Sequence, residues 1–472
     1  MLAKNHHRFL VRRALRRLIR NETIPYRLLI IGILTGCITG LFCAFFQIVP
    51  DAVTRLRLDY FYQQDQSTFA FTLLFLICGS LAAFALFITL KYAPEAGGSG
   101  IPEIEGALDH KRPVRWWRVL PVKIFGGICS LSSGMILGRE GPSIQIGGNT
   151  GKMTADLCLI SKTNAMSLIA AGGAAGLAAA FNAPLAGMMF VIEELRPQFR
   201  YSFMSIKLVA VTVISATVTR SFILNNNPVF NNLPVFESPA LASYIFFILL
   251  GLIAGVFGVY FNKMVEYFQN TYLRLHRGKI PLACGIIFIL GGIFGILSVI
   301  APEASGSGMM SIPDWIVAHE QTFSFLLLLL LWRTVGLMSC FCSGIPGGIF
   351  APSLSIGTLL GAFLGVLLEK IHLPYTPDAG ILAITGMCAL FAASVRAPIT
   401  GIVLVAEMTN NFQFILPMMI TTLTATLVAN RLGGIPIYTQ ILNRTLRLAK
   451  KERIAKENNM EAGTARIPNP KQ

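Results

Sequence analysis

The chain has 472 residues, 54% of them hydrophobic and only 13% charged, where a soluble domain carries about 25% charged residues. That composition excludes an ordinary soluble globular protein. The net charge of +16 is gathered at the two ends and in short loops between apolar runs, which argues against a nucleic-acid surface.

In chain order, residues 1–24 contain "RFLVRRALRRLIR" (8–20), which sets Leu10, Val11, Ala14, Leu15, Leu18 and Ile19 on one face and arginines on the other. This predicts an amphipathic helix on an anionic membrane surface rather than a cleaved leader. Uncharged runs at Leu28–Pro50, Thr68–Leu90, Ala240–Phe261 and Pro281–Pro302 are each long enough to span the hydrocarbon core, which takes roughly 20 residues. Backbone groups in lipid need internal partners, so these runs are expected to be helices. Basic stretches at His110–Lys123, Arg196–Lys207 and Arg274–Lys279, with both basic termini, are assigned to the cytoplasmic side, which makes the number of spans even. Segments 223–240 and 301–315 carry no Lys or Arg and are assigned outside. The nine cysteines fall in apolar or span-adjacent runs without a CxxC pair, so they read as small hydrophobes, and neither metal nor other cofactor is expected.

Two ordered matches lie about 210 residues apart. "GREGPSIQIGG" (138–148) aligns with "GIFAPSLSIGT" (348–358), and "AGLAAAFNAPLAGMMFVIEEL" (175–195) with "ALFAASVRAPITGIVLVAEMT" (389–409). The chain therefore reads as a duplication, with a first transmembrane repeat at 25–225, a second at 226–440 and a basic tail at 441–472. The loop after Glu194 is basic while that after Glu407 is free of Lys and Arg, so the repeats are expected to be inverted. Inverted repeats place substrate sites near the midplane, where broken helices meet.

Four glycine-rich breaks mark such helices: 95–106 with Ser99, 138–142, 348–352, and 433–438 ending in Tyr438. In the first three a proline follows glycine closely, and proline suits a first helical turn because its missing N–H would be unpaired there anyway. Exposed amides and the positive end of the helix dipole favour an anion, and Ser99 and Tyr438 add neutral hydroxyl donors. Taken singly, each break could equally serve close helix packing. Glu140, on one of these breaks, is either an ion-pair partner of Arg139 or a group that competes with an anion when ionised and yields when protonated. The repeat sets Phe350 opposite it, so the turn itself does not need a carboxylate. Glu193 is matched by Glu407, which implies a shared structural role, at a subunit face or as a cap. Glu194 is matched by Met408 and is the candidate for an internal proton site; the plainer reading is a surface carboxylate beside Arg196. The stretch "GSGMMSIP" (306–313) carries no comparable signal.

"GSGIPE" (98–103), "GREGP" (138–142) and "GGIFAP" (347–352), in that order and followed by Tyr438, resemble the CLC chloride channel and transporter family from about residue 25 to 445. "KYAPEAGGSGIPEIEG" and "RPVRWWRVLPVK" resemble its bacterial proton/chloride antiporter branch. The resemblance implies an all-α polytopic membrane protein of two inverted repeats with broken, tilted helices, forming a homodimer with one pore per subunit in a bacterial inner membrane. It implies a chloride site lined by Ser99, Tyr438 and the amides of Ile349 and Phe350, with Glu140 as the gating and external proton glutamate and Glu194 as the internal one. Nitrate-preferring relatives tend to carry Pro at the Ser99 position, fluoride relatives Met, and channels usually lack a carboxylate at the Glu194 position. The chain is thus expected to exchange chloride for protons, with acid resistance as the implied physiology; the alternative is a passive voltage- or pH-gated chloride channel on the same fold. A hydrolase built on Ser99 would need a base, and all six histidines lie in termini or loops, so no enzymatic activity is expected.

Overall fold

The computed structural model describes residues 25–63, 67–195, 202–230, 233–317 and 321–464. The amphipathic helix expected within 1–24, and Arg196, lie outside these. Among the described residues the regular structure is helical apart from two isolated β-bridges, and nine helices are long and apolar enough to cross a membrane.

The first half comprises α1 (Tyr26–Gln63), α2 (Thr68–Tyr92), α3 (Ile101–Leu108), α4 (Trp116–Ser132), α5 (Glu140–Leu157), α6 (Lys162–Phe181), α7 (Pro184–Glu193) and α8 (Phe203–Ile223). The second half repeats this order as α9 (Tyr244–His276), α10 (Ile280–Ile300), α11 (Ile312–Ile316), α12 (Phe323–Phe341), α13 (Phe350–Ile371), α14 (Ala379–Val395), α15 (Pro398–Thr409) and α16 (Ile415–Arg431). A last helix, α17 (Ile437–Thr464), has no counterpart among the described residues of the first half. The four uncharged runs all fall in long helices, although α1 continues through Pro50 to Gln63 and α9 runs on to His276.

Equivalent helices meet in pairs: α2 on α10, α5 on α13, α7 on α15. At the centre Gly138 and Gly348, which the repeat equates, form an antiparallel bridge in which each N–H donates to the other's carbonyl at 2.7 Å. An antiparallel bridge between equivalent residues requires a two-fold relation across the chain direction, so the halves are inverted. Glu193 and Glu407 close the same symmetry. Glu407 accepts from the Leu185 and Ala186 amides at 3.1 and 2.8 Å. Glu193 accepts from the Ile399 and Thr400 amides at 3.1 and 2.7 Å and from the Thr400 hydroxyl at 2.8 Å. Each carboxylate, at the end of one short helix, thus caps the start of its counterpart in the other half.

The inner helices α5, α6, α13 and α14 are buried along nearly their whole length. Around them, α2, α8, α12 and α16 turn exposed side chains such as Leu76, Ile214, Leu328 and Leu427 outward, as lipid-facing surfaces require. The inner helices approach backbone to backbone. A Cβ on Gly147 would fall 2.0 Å from the Gly172 carbonyl oxygen, and one on Gly172 would fall 2.1 Å from that of Gly147. Neither neighbour is a flexible side chain, so the strain is not relieved locally. Gly172→Ala is expected to cost about 1–3 kcal/mol by overpacking, read as a lower Tm of the detergent-purified protein. Gly285→Ala is the control: nothing lies within 4 Å of that Cβ, so Tm should hold or rise.

Candidate anion-binding site

The four breaks become the starts of α3, α5, α13 and α17, with Pro102, Pro142 and Pro352 in the first turns of the first three and Pro436 just before the last. The first amides of each helix have no partner one turn back, and these starts are drawn together: α3 packs on α5 and α17, and α5 on α13.

The Ser99 loop is shaped by glycine. Gly98 and Gly100 adopt φ of +58° and +85°, a region that residues with a Cβ rarely occupy. Lys123 holds the loop from behind, its ammonium donating to the Ala96 and Gly98 carbonyls at 2.9 and 2.6 Å. Expected as the end of a basic cytoplasmic loop, Lys123 is instead a fully buried residue of α4. The start of α5 runs directly over Ser99: a Cβ on Gly141 would fall 2.3 Å from the Ser99 Oγ.

Ser99 and Tyr438 are 2% and 0% exposed, and neither hydroxyl has a hydrogen-bond partner. Buried polar groups are seldom left unpaired, because desolvation without a bond costs about 1–3 kcal/mol. Two orphaned hydroxyl donors beside helix N-termini are what a small anion would satisfy. Ile349 caps α13, and Phe350 is its first residue. The Phe350 ring is held between Phe181 and Phe391, with centroids 5.5 and 4.5 Å away, so only its backbone is available to the site.

Glu140, the first residue of α5, is 1% exposed. Its carboxyl group faces the amides of Arg139, Glu140 and Ala351, with Oε2 buried and unpaired, so it sits where the starts of α5 and α13 converge. Arg139 is not its ion-pair partner. That guanidinium is engaged by Asp51 of α1 at 3.2 Å.

Glu194 follows the last residue of α7, and its carboxyl group hydrogen-bonds to that of Glu105 on α3. Two like charges held side by side away from water are unfavourable, so the two carboxyl groups are a candidate place for a proton. The Tyr438 hydroxyl stands within electrostatic reach of Glu140, Glu105 and Glu194 together. Two residues before Glu105 on α3, Glu103 is clamped by Arg112 at 2.8 and 3.0 Å. It lines a cavity of about 460 Å³ that reaches Ser99 and is also bordered by Arg444. Two residues apart on one short helix, Glu103 and Glu105 thus face nearly opposite sides, one toward this cavity and the other toward Glu194. Sequence reasoning missed Glu105; the signal available was a second carboxylate within "GIPEIEG" (100–106).

The family described as "Voltage gated chloride channel" matches residues 81–430. The chain belongs to this CLC family. It is 46% identical over 438 residues to the H(+)/Cl(-) exchange transporter ClcA of Vibrio parahaemolyticus, covering 92% of this chain and 93% of that one. It is equally identical over 466 residues to the ClcA of Salmonella paratyphi A, covering 98% of each. Among solved CLC structures, a slow cyanobacterial Cl-/H+ antiporter matches with a TM-score of 0.85 at 36% identity, over 90% of this chain and 99% of that one. A eukaryotic CLC transporter shares the fold at 22% identity, with a TM-score of 0.75 over 88% of this chain and 74% of that one.

Proposed function

We propose that this CLC protein is a secondary active antiporter that exchanges chloride for protons. The observation that carries the reading is the Glu140 carboxyl group facing the amides of two converging helix starts, the position that favours an anion. Chloride and an ionised Glu140 compete for those amides. When Glu140 takes a proton it becomes a weaker acceptor and yields the place. Ser99, Tyr438 and the amides of Ile349 and Phe350 then supply donors without a fixed charge, so that chloride binds and also leaves. Glu194, with Glu105 as its positioning partner, supplies and receives the proton on the other side of Tyr438, apart from the vestibule that feeds Ser99. The high identity to named exchange transporters favours the same exchange here over a passive channel.

In this reading the side bearing Arg112 and Arg444 is cytoplasmic, both termini lie there, and the protein sits in a bacterial inner membrane. It works as a homodimer with one pore per subunit, and the chain divides into an N-terminal surface helix at 1–24, repeats at 25–225 and 226–440 and a tail at 441–472.

The test uses purified protein in liposomes under an imposed chloride gradient, with external pH recorded. Chloride flux should drive protons uphill, and a protonophore should dissipate the gradient so formed. Glu194→Gln should keep chloride flux and lose proton movement. Chloride flux without proton movement in the unaltered protein would make it a channel.

A further inference from the structure

The second half holds a copy of the Ser99 loop that the exchange cycle above does not use. Gly-Gly-Ser-Gly at 97–100 is matched by Ser-Gly-Ser-Gly at 305–308. Each follows a single 3-10 turn of Pro-Glu-Ala, at Pro94–Ala96 and Pro302–Ala304. The backbone repeats too, with φ of +58° at both Gly98 and Gly306, and +85° and +83° at Gly100 and Gly308. Each loop is gripped by a fully buried cation. Arg333 plays the part of Lys123, donating to the Glu303, Ser305 and Gly306 carbonyls at 2.7, 3.0 and 3.0 Å. Ser307 is therefore the counterpart of Ser99, and inversion of the repeats turns it toward the opposite side of the membrane.

A cavity of about 190 Å³ opens at this loop, lined among others by Ser307, Gly308, Asp51, Arg57 and Arg139. Its charge does not cancel. Asp51 is engaged by Arg139 at 3.2 Å, while the Arg57 guanidinium donates to the Ser132 carbonyl at 2.8 Å and the Cys78 sulfur at 3.6 Å, and its Nε has no partner. The Ser307 Oγ accepts from the Met309 amide at 3.4 Å, which leaves its hydroxyl proton free to donate. Helix α11 has only five residues and so lends little dipole; a full positive charge on Arg57 stands in its place.

We propose that this cavity is a second anion site, on the outer face, where Arg57 and the Ser307 loop take up a small monovalent anion of chloride size and load the gate from outside. Arg139 makes the connection, since it lines the cavity and immediately precedes Glu140. The sidedness rests on the orientation proposed above.

Crystals of the full chain soaked in bromide would test the site by anomalous scattering. A peak is expected in the outer cavity in addition to one beside Tyr438, lost in Arg57→Gln and kept in Arg57→Lys. In oriented vesicles, Arg57→Gln should raise the half-saturating external chloride concentration several-fold and leave the proton-to-chloride ratio unchanged, which also reports an intact fold. Ser307→Ala should move the same constant less and in the same direction. A peak at Tyr438 with none in the outer cavity would overturn the proposal. So would an outer peak with no change in external chloride dependence in Arg57→Gln, which would mean binding at crystal concentration only. An outer peak without one at Tyr438 would uphold this site and strike the central one.

Discussion

Replacing Glu140 by alanine is expected to abolish proton movement while chloride continues to cross. The carboxyl group of Glu140 faces the amides of Arg139, Glu140 and Ala351, and a chloride cannot share them with an ionised carboxylate. Two unit charges 4 Å apart repel by about 4 kcal/mol at an effective dielectric of 20, which favours single occupancy strongly. Under the proposed cycle, truncation removes the competitor and the proton carrier in one step and leaves the amide cage intact, because Phe350 at the equivalent position of the other half starts a helix equally well without a carboxylate. Chloride flux in Glu140→Ala should persist and lose its dependence on pH, since no group at the gate titrates any longer. Glu140→Gln, which imitates the protonated form, should behave alike. The measurement is simultaneous recording of chloride and proton fluxes in liposomes. An unchanged proton-to-chloride ratio in either variant would remove Glu140 from the proton path.

The parts of this site that were legible in the sequence are those whose cause is local. Glycine followed by proline fixes where α3, α5 and α13 begin, and the repeated G-x-x-x-P-S pattern ties two of them together. What was illegible depends on packing between distant segments. The approach of Glu105 to Glu194 joins α3 to the end of α7, and no spacing rule links them. Sequence adjacency leaves Arg139 open as an ion-pair partner of Glu140, yet a helix start points successive side chains apart, and Asp51 on α1 is where this one arrives. Lys123 was counted with a run of surface charges, although it lies inside the apolar stretch "VLPVKIFGG", where a cation must find buried acceptors. The second serine loop was hidden by insertion: Ile101-Pro102 follows Gly100 directly, whereas Met309, Met310 and Ser311 separate Gly308 from Ile312-Pro313. Matching backbone angles recovers the equivalence that the letters obscure.

The carboxylate pair Glu193 and Glu407 predicts a different kind of loss. Each sits at the end of a short helix and satisfies amides in the first turn of its counterpart across the two-fold, where the helix dipole also favours negative charge. Hydrogen bonds to a charged acceptor contribute about 1.5–3 kcal/mol each, and the contact is split between exposed and half-buried atoms. Glu407→Ala is therefore expected to cost about 2–4 kcal/mol of stability, seen as a lower Tm. Glu407→Gln, which keeps one acceptor oxygen and loses the charge, should cost about half as much. Glu193→Ala should lose at least as much as Glu407→Ala, because the Thr400 hydroxyl loses its acceptor as well. Transport separates this role from that of the adjacent Glu194. Glu407 caps a helix start and is the repeat counterpart of Glu193, whereas Glu194 is matched by Met408, so the surviving Glu407→Ala protein should exchange at the unaltered proton-to-chloride ratio. A normal Tm with a changed ratio would reverse the assignment and place Glu407 in transport, not in joining the two halves.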